Sequence, residues 1–243
     1  MKNCHMIAFT LFFLAGTLFA GQLSTTPASK MNWGWWKNRF EQNCKNARKG
    51  GYDIVFLGDS ITDFWRNRGK KEFQHYFGAY KTLNMGYSAD RTENVLWRLD
   101  NGELDGAEPK LIVLMIGTNN LGHRPKVETT QDTVDGIRAI LDRIGKISPK
   151  SKVLLLGIFP RAATRDAPFR VRNDAVNAQI AKFADNKRIF WMDLGPKFLD
   201  ARGNLPRSVM PDLLHPNGKG YVIWAEAILP FVKKTVPLPA GTR

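Results

Sequence analysis

Ser60 stands in the run Gly58-Asp59-Ser60-Ile61-Thr62, directly after the apolar stretch Asp53-Ile54-Val55-Phe56-Leu57. A serine at a strand-to-helix turn exposes its hydroxyl at the end of the sheet. Its N–H then lies near a helix N-terminus, where negative charge is stabilised. Gly58 permits the tight turn. The same serine could equally serve as a helix N-cap. Asp212 and His215 form a second pair, in Asp212-Leu213-Leu214-His215-Pro216. Pro216 biases His215 away from helical geometry, which puts the pair in a turn entering the last helix. An Asp that orients one imidazole nitrogen leaves the other free as a base. A surface pair capping the helix is the alternative.

Two more positions follow apolar runs. Gly86, in Asn84-Met85-Gly86, could bring a backbone N–H close to a ligand or could simply turn the chain. Asn119, in Gly117-Thr118-Asn119-Asn120, could donate its side-chain NH₂ to a developing oxyanion. An Asx-type turn would use the same residue. Taken together, these positions supply a nucleophile, donors for an oxyanion, a base and an orienting carboxylate, which is the equipment of acyl transfer through serine.

Other chemistries find less support. The chain has 4 histidines, one of them at position 5, and no H-E-x-x-H spacing. His75 and His123 are isolated, so neither a metal nor an organic cofactor is expected. Of the 2 cysteines, Cys4 precedes the first apolar run, which leaves Cys44 alone and without an internal disulfide partner.

The elements that must carry these residues follow an α/β pattern. Strand candidates are 53–57, 81–84, 111–116, 152–158 and 188–192, of which the third and fourth are continuously apolar, as strands buried on both faces are. Helical patterns at 35–46, 92–99, 127–147, 170–184 and 221–233 alternate with them, which argues for a parallel sheet.

Residues 1–20 read as a signal peptide, with Lys2, the apolar run 7–15 and cleavage after Ala20, so a secreted or periplasmic protein without a stable membrane anchor is expected. Residues 21–32 read as a mobile Ser/Thr/Pro linker, 33–236 as one catalytic domain and 237–243 as a tail. The net charge of +14 is scattered along the chain. No zinc-finger, RRM or basic-helix pattern accompanies it, and no nucleic-acid partner is expected.

The four blocks Phe56-Leu57-Gly58-Asp59-Ser60, Asn84-Met85-Gly86, Gly117-Thr118-Asn119-Asn120 and Asp212-Leu213-Leu214-His215 resemble those of the SGNH, or GDSL, hydrolase superfamily. The stretches 90–99, 157–161 and 215–221 look most like its platelet-activating-factor-acetylhydrolase-like branch. The resemblance implies a flavodoxin-like three-layer α/β/α sandwich around a five-stranded parallel sheet. It also implies Ser60 as nucleophile, His215 as base and Asp212 as its orienter. The Ser60 N–H, the Gly86 N–H and the Asn119 side chain would form the oxyanion hole. The expected substrate is a small acyl ester, most of all an acetyl group on a carbohydrate. Trp65, Arg66, Arg91 and Arg161, which follow motif blocks or strand ends, are expected to line the cleft. A lysophospholipase or arylesterase, or a non-catalytic glycan-binding protein on the same fold, is the alternative.

Overall fold

A computed structural model describes residues 21–123 and 128–238. The signal peptide with its cleavage point, and the tail from 239 onward, lie outside the described residues.

The chain begins with α1 (Gly21–Thr25) and α2 (Gly34–Ala47). Then come β1 (Ile54–Gly58), α3 (Ser60–Asp63), α4 (Lys70–Phe77), β2 (Thr82–Gly86), α5 (Thr92–Asp100), β3 (Leu111–Met115) and α6 (Thr118–His123). They are followed by α7 (Thr130–Ile147), β4 (Lys152–Leu156), α8 (Pro168–Ile180), β5 (Ile189–Met192) and α9 (Gly218–Thr235). All strand pairings are parallel, in the order β2-β1-β3-β4-β5. The strand candidates coincide with β1 to β5 to within two residues at each end. Short α3, α4 and α6 carry too few turns to show a helical period.

Each inner strand sends alternate side chains to opposite faces. Val55, Leu57, Ile112, Leu114, Val153 and Leu155 pack against Val95 of α5, Ile137 and Ile140 of α7 and Val176 of α8. Ile54, Phe56, Leu111, Val113 and Leu154 pack on the other side, against Phe77 of α4 and Trp224 and Ile228 of α9. The result is a three-layer α/β/α sandwich. From β1 the chain moves out to β2 on one side, then crosses back past β1 to β3 on the other. The crevice beyond Gly58 and Met115 is therefore the topological switch point, where sheets of this kind hold their ligands.

Residues 21–31 are not a loose linker. Ser24 is fully buried and Lys30 nearly so, and α1 lies against α5 and α7. The composition is that of a linker, but its polar groups are matched by partners far along the chain, such as Glu128 for Ser24 and Asp90 for Lys30.

Candidate active site

Ser60 opens α3 at the end of β1. Gly58 has to lack a side chain there, because a Cβ would lie 2.3 Å from the Met115 carbonyl and 2.4 Å from Thr62 Oγ1. Three contacts hold α3 down. Asp59 Oδ1 accepts the Ile61 N–H (3.0 Å), the Tyr221 hydroxyl donates to the Ile61 carbonyl (2.7 Å), and Asn84 Nδ2 donates to the Thr62 carbonyl (2.8 Å). The serine is thus fixed from β1, β2 and α9 together.

The turn before α9 brings His215 to it. Ser60 Oγ lies 2.8 Å from His215 Nε2, and His215 Nδ1 lies 2.8 Å from Asp212 Oδ2. Asp212 Oδ1 accepts the backbone N–H groups of His215 (2.7 Å) and Leu214 (3.1 Å). Partial burial alone would raise the Asp212 carboxyl, but the two N–H groups and the imidazole outweigh it and hold the group at about 2. Leu213 adopts φ +59°, and its carbonyl accepts the Ala162 N–H (3.0 Å), which ties this turn to the segment after β4. The Phe64 ring packs 5.0 Å from the imidazole.

Asn119 lies on the first turn of α6, and its Nδ2 donates to the Asp90 carbonyl (2.9 Å). That bond uses one of its two amide hydrogens. Ser60, Asp212, His215 and Asn119 thus sit where the sequence places them, at strand ends and in the turn before α9.

Gly86 does not fit the role expected of it. Its N–H is donated to Asn84 Oδ1 (2.9 Å), which takes it out of service as an oxyanion donor. A Cβ at Gly86 would meet the Asp63 nitrogen at 2.2 Å, so this glycine is there to let α3 pack against the end of β2. Ala89 lies on the same β2–α5 connection, half-buried and at φ +62°. A non-glycine residue held in that region marks a turn fixed by its surroundings. Sequence reasoning missed Ala89 because the dihedral leaves no trace in the residue type. The only available signal was its place in the polar stretch 87–91 after the second strand.

The expected substrate contacts fare unevenly. Trp65 is 1% exposed and packs among Phe56, Tyr221 and Trp224, so it is core and does not line the cleft. Arg66 pairs with Asp63. Arg91 precedes α5, with Nε 2.6 Å from Glu93 Oε1. Arg161 donates to the Thr118 carbonyl (3.2 Å) and lies over the Phe169 ring, bracing the start of α6. All three guanidinium groups thus have partners within the fold. Among the described residues no cluster of His, Cys, Asp and Glu could hold a metal ion, and no helix is long and apolar enough to cross a membrane.

Comparison with known proteins gives the family and the fold. The model of the GDSL-like lipase/acylhydrolase family matches residues 56–223. Platelet-activating factor acetylhydrolase IB subunit alpha1 of Rattus norvegicus is 32% identical over 189 residues, covering 77% of this chain and 78% of that protein. A GDSL-like lipase from Bacteroides thetaiotaomicron superposes with a TM-score of 0.66 at 21% identity, over 80% of this chain and 97% of that one. An acetylxylan esterase from Geobacillus stearothermophilus does so with a TM-score of 0.60 at 19% identity, over 75% and 94%.

Proposed function

The chain belongs to the GDSL-like lipase/acylhydrolase family, and we propose that it is a serine ester hydrolase acting through Ser60, His215 and Asp212. The observation that carries this reading is the continuous chain of hydrogen bonds from Ser60 Oγ through the imidazole to Asp212.

A serine hydroxyl is a weak nucleophile until an adjacent base takes its proton. Neutral His215 accepts that proton at Nε2 as the Ser60 Oγ–carbon bond forms, and Asp212 stabilises the imidazolium. The tetrahedral oxyanion is held by the Ser60 N–H, the free amide hydrogen of Asn119 and the Ala89 N–H. Ala89 is assigned here because the next residue, Asp90, offers the carbonyl that holds Asn119. The intermediate collapses, the ester C–O bond breaks, and His215 returns its proton to the leaving alkoxide. Water, deprotonated in turn by His215, attacks the acyl-enzyme and releases the carboxylic acid with Ser60 restored.

The substrate we propose is a short acyl ester, above all acetyl carried on a carbohydrate, hydrolysed outside the cytoplasm. The relative is named for acetyl hydrolysis and a fold neighbour for acetylxylan, and residues 1–20 have the pattern of an export signal. A panel running from acetyl to long-chain esters, on sugar and lipid carriers, tests it with the wild type and Ser60→Ala. Fastest turnover is expected on acetylated sugar, with loss of activity in the variant. Reaction with long-chain lipid esters alone would make the protein a lysophospholipase instead.

A further inference from the structure

Residues 24–31 run along the back of the candidate oxyanion site and are sewn into it. The Ser24 carbonyl accepts the Thr92 hydroxyl (2.9 Å), and Asn120 Nδ2 donates to Ser24 Oγ (3.1 Å). Asn94 Nδ2 donates to the Ala28 carbonyl (2.8 Å), and the Ala28 N–H to that of Glu93 (3.0 Å). The segment delivers Lys30, 8% exposed, whose Nζ lies 2.7 Å from the Ala89 carbonyl and 3.1 Å from Asp90 Oδ1. Asp90 is fully buried, and its carboxylate is also held by Trp36 Nε1 (2.9 Å) and Arg98 Nε (3.0 Å).

Burying an ammonium is costly even when it is paired, and an apolar side chain would fasten a strap to the surface as well or better. What an ammonium adds is a directed grip on oxygens. Here one of those oxygens is the carbonyl of a residue in the left-handed region, a conformation that a non-glycine residue keeps only when its surroundings impose it. The other belongs to the residue whose carbonyl orients Asn119.

We propose that Lys30 is a positioning residue for ester hydrolysis: through the Ala89 carbonyl and the Asp90 carboxylate it fixes the turn that carries the Ala89 N–H and whose Asp90 carbonyl orients the Asn119 amide of α6 towards the oxyanion. The N-terminal segment is then part of the catalytic apparatus. This rests on the assignment of Ser60 as the nucleophile.

The full chain is assayed on p-nitrophenyl acetate as wild type, Lys30→Met, Lys30→Gln, Lys30→Arg and Lys37→Ala, the last removing an exposed lysine on α2. Each rate is divided by the number of sites that a fluorophosphonate labels at completion, so misfolded protein is not counted. In Lys30→Met a kcat per labelled site about ten- to a hundredfold lower is expected, as small misplacements at a reacting centre produce. KM should stay within twofold, Lys30→Arg should recover part of the loss, and Lys37→Ala should match wild type. A kcat per site within twofold of wild type in Lys30→Met, or a loss confined to KM, overturns the proposal. If Lys30→Met does not fold, Lys30→Gln, which keeps a donor but no charge, is read by the same twofold criterion. Failure of wild type to label at all would overturn the nucleophile assignment instead, and this proposal with it.

Discussion

Asp212 grips His215 twice, accepting its backbone N–H at 2.7 Å on one oxygen and its Nδ1 at 2.8 Å on the other. The first bond fixes the turn, and the second fixes the tautomer that leaves Nε2 free to face Ser60. Asp212→Asn keeps the shape and loses the charge, so the imidazolium is no longer stabilised. A kcat lower by roughly 10²–10⁴ is expected, with KM little changed, read by steady-state kinetics on p-nitrophenyl acetate.

The same carboxylate sets a pH window. Its folded value of about 2 lies below its ordinary 3.8. The stability that it contributes is therefore present above about 4 and disappears as pH falls through 2. Acid unfolding of Asp212→Asn should lack this component.

Asp59 behaves in the opposite sense. Burial pushes its carboxyl up to about 7, with Asp90 adding to the effect and the Ile61 N–H and Arg161 opposing it. Its Oδ2 has no partner among the described residues. The folded state therefore binds the proton more tightly than the unfolded state, so stability falls as pH rises from about 4 to 7 and stays lower beyond. Asp59→Asn, still able to cap α3, should raise the melting temperature at pH 8 by several degrees, since about 1 kcal/mol is worth roughly 2–4 °C in a chain of this size. The gain should shrink towards pH 4, and a gain independent of pH would contradict the assignment.

Gly86 and Asn119 should separate cleanly. Gly86→Ala drives a methyl into the α3 backbone and is expected to destabilise the fold by about 1–3 kcal/mol or more. Asn119→Ala should fold and lose roughly 10²–10³ in kcat, the effect of one oxyanion donor. Thermal melts alongside kinetics distinguish the two outcomes.

Much of this was legible in the residues. The continuous apolar runs at 111–116 and 152–158 suit strands covered on both faces, and the ends of such strands mark where chemistry can sit. Ser60 and Asn119 stood out because polar, reactive types follow strand ends, and Asp212 and His215 because their spacing before Pro216 puts them in one turn entering the last helix. What stayed hidden depends on distant partners. A glycine that packs and a glycine that donates look identical in sequence, and only the Asn84 carboxamide tells them apart at Gly86. Trp65 next to a motif could face the cleft or the core, and Tyr221 and Trp224 decide for the core. The segment 21–31 has the composition of a linker, and nothing local reveals that Asp90 and Asn120 wait for Lys30 and Ser24.

Trp65→Ala should consequently cost about 3–5 kcal/mol of stability through the cavity it leaves. Trp65→Phe should keep KM for acetylated sugars within about twofold of wild type. A large rise in KM for Trp65→Phe, with stability unchanged, would return this residue to the cleft.

The nucleophile is tested most directly by mapping the covalent adduct that a fluorophosphonate leaves on the wild-type protein, by peptide mass spectrometry. One adduct is expected, on Ser60, formed in step with the loss of esterase activity and absent from Ser60→Ala. Loss of activity with Ser60 unmodified and the adduct on another residue would contradict it.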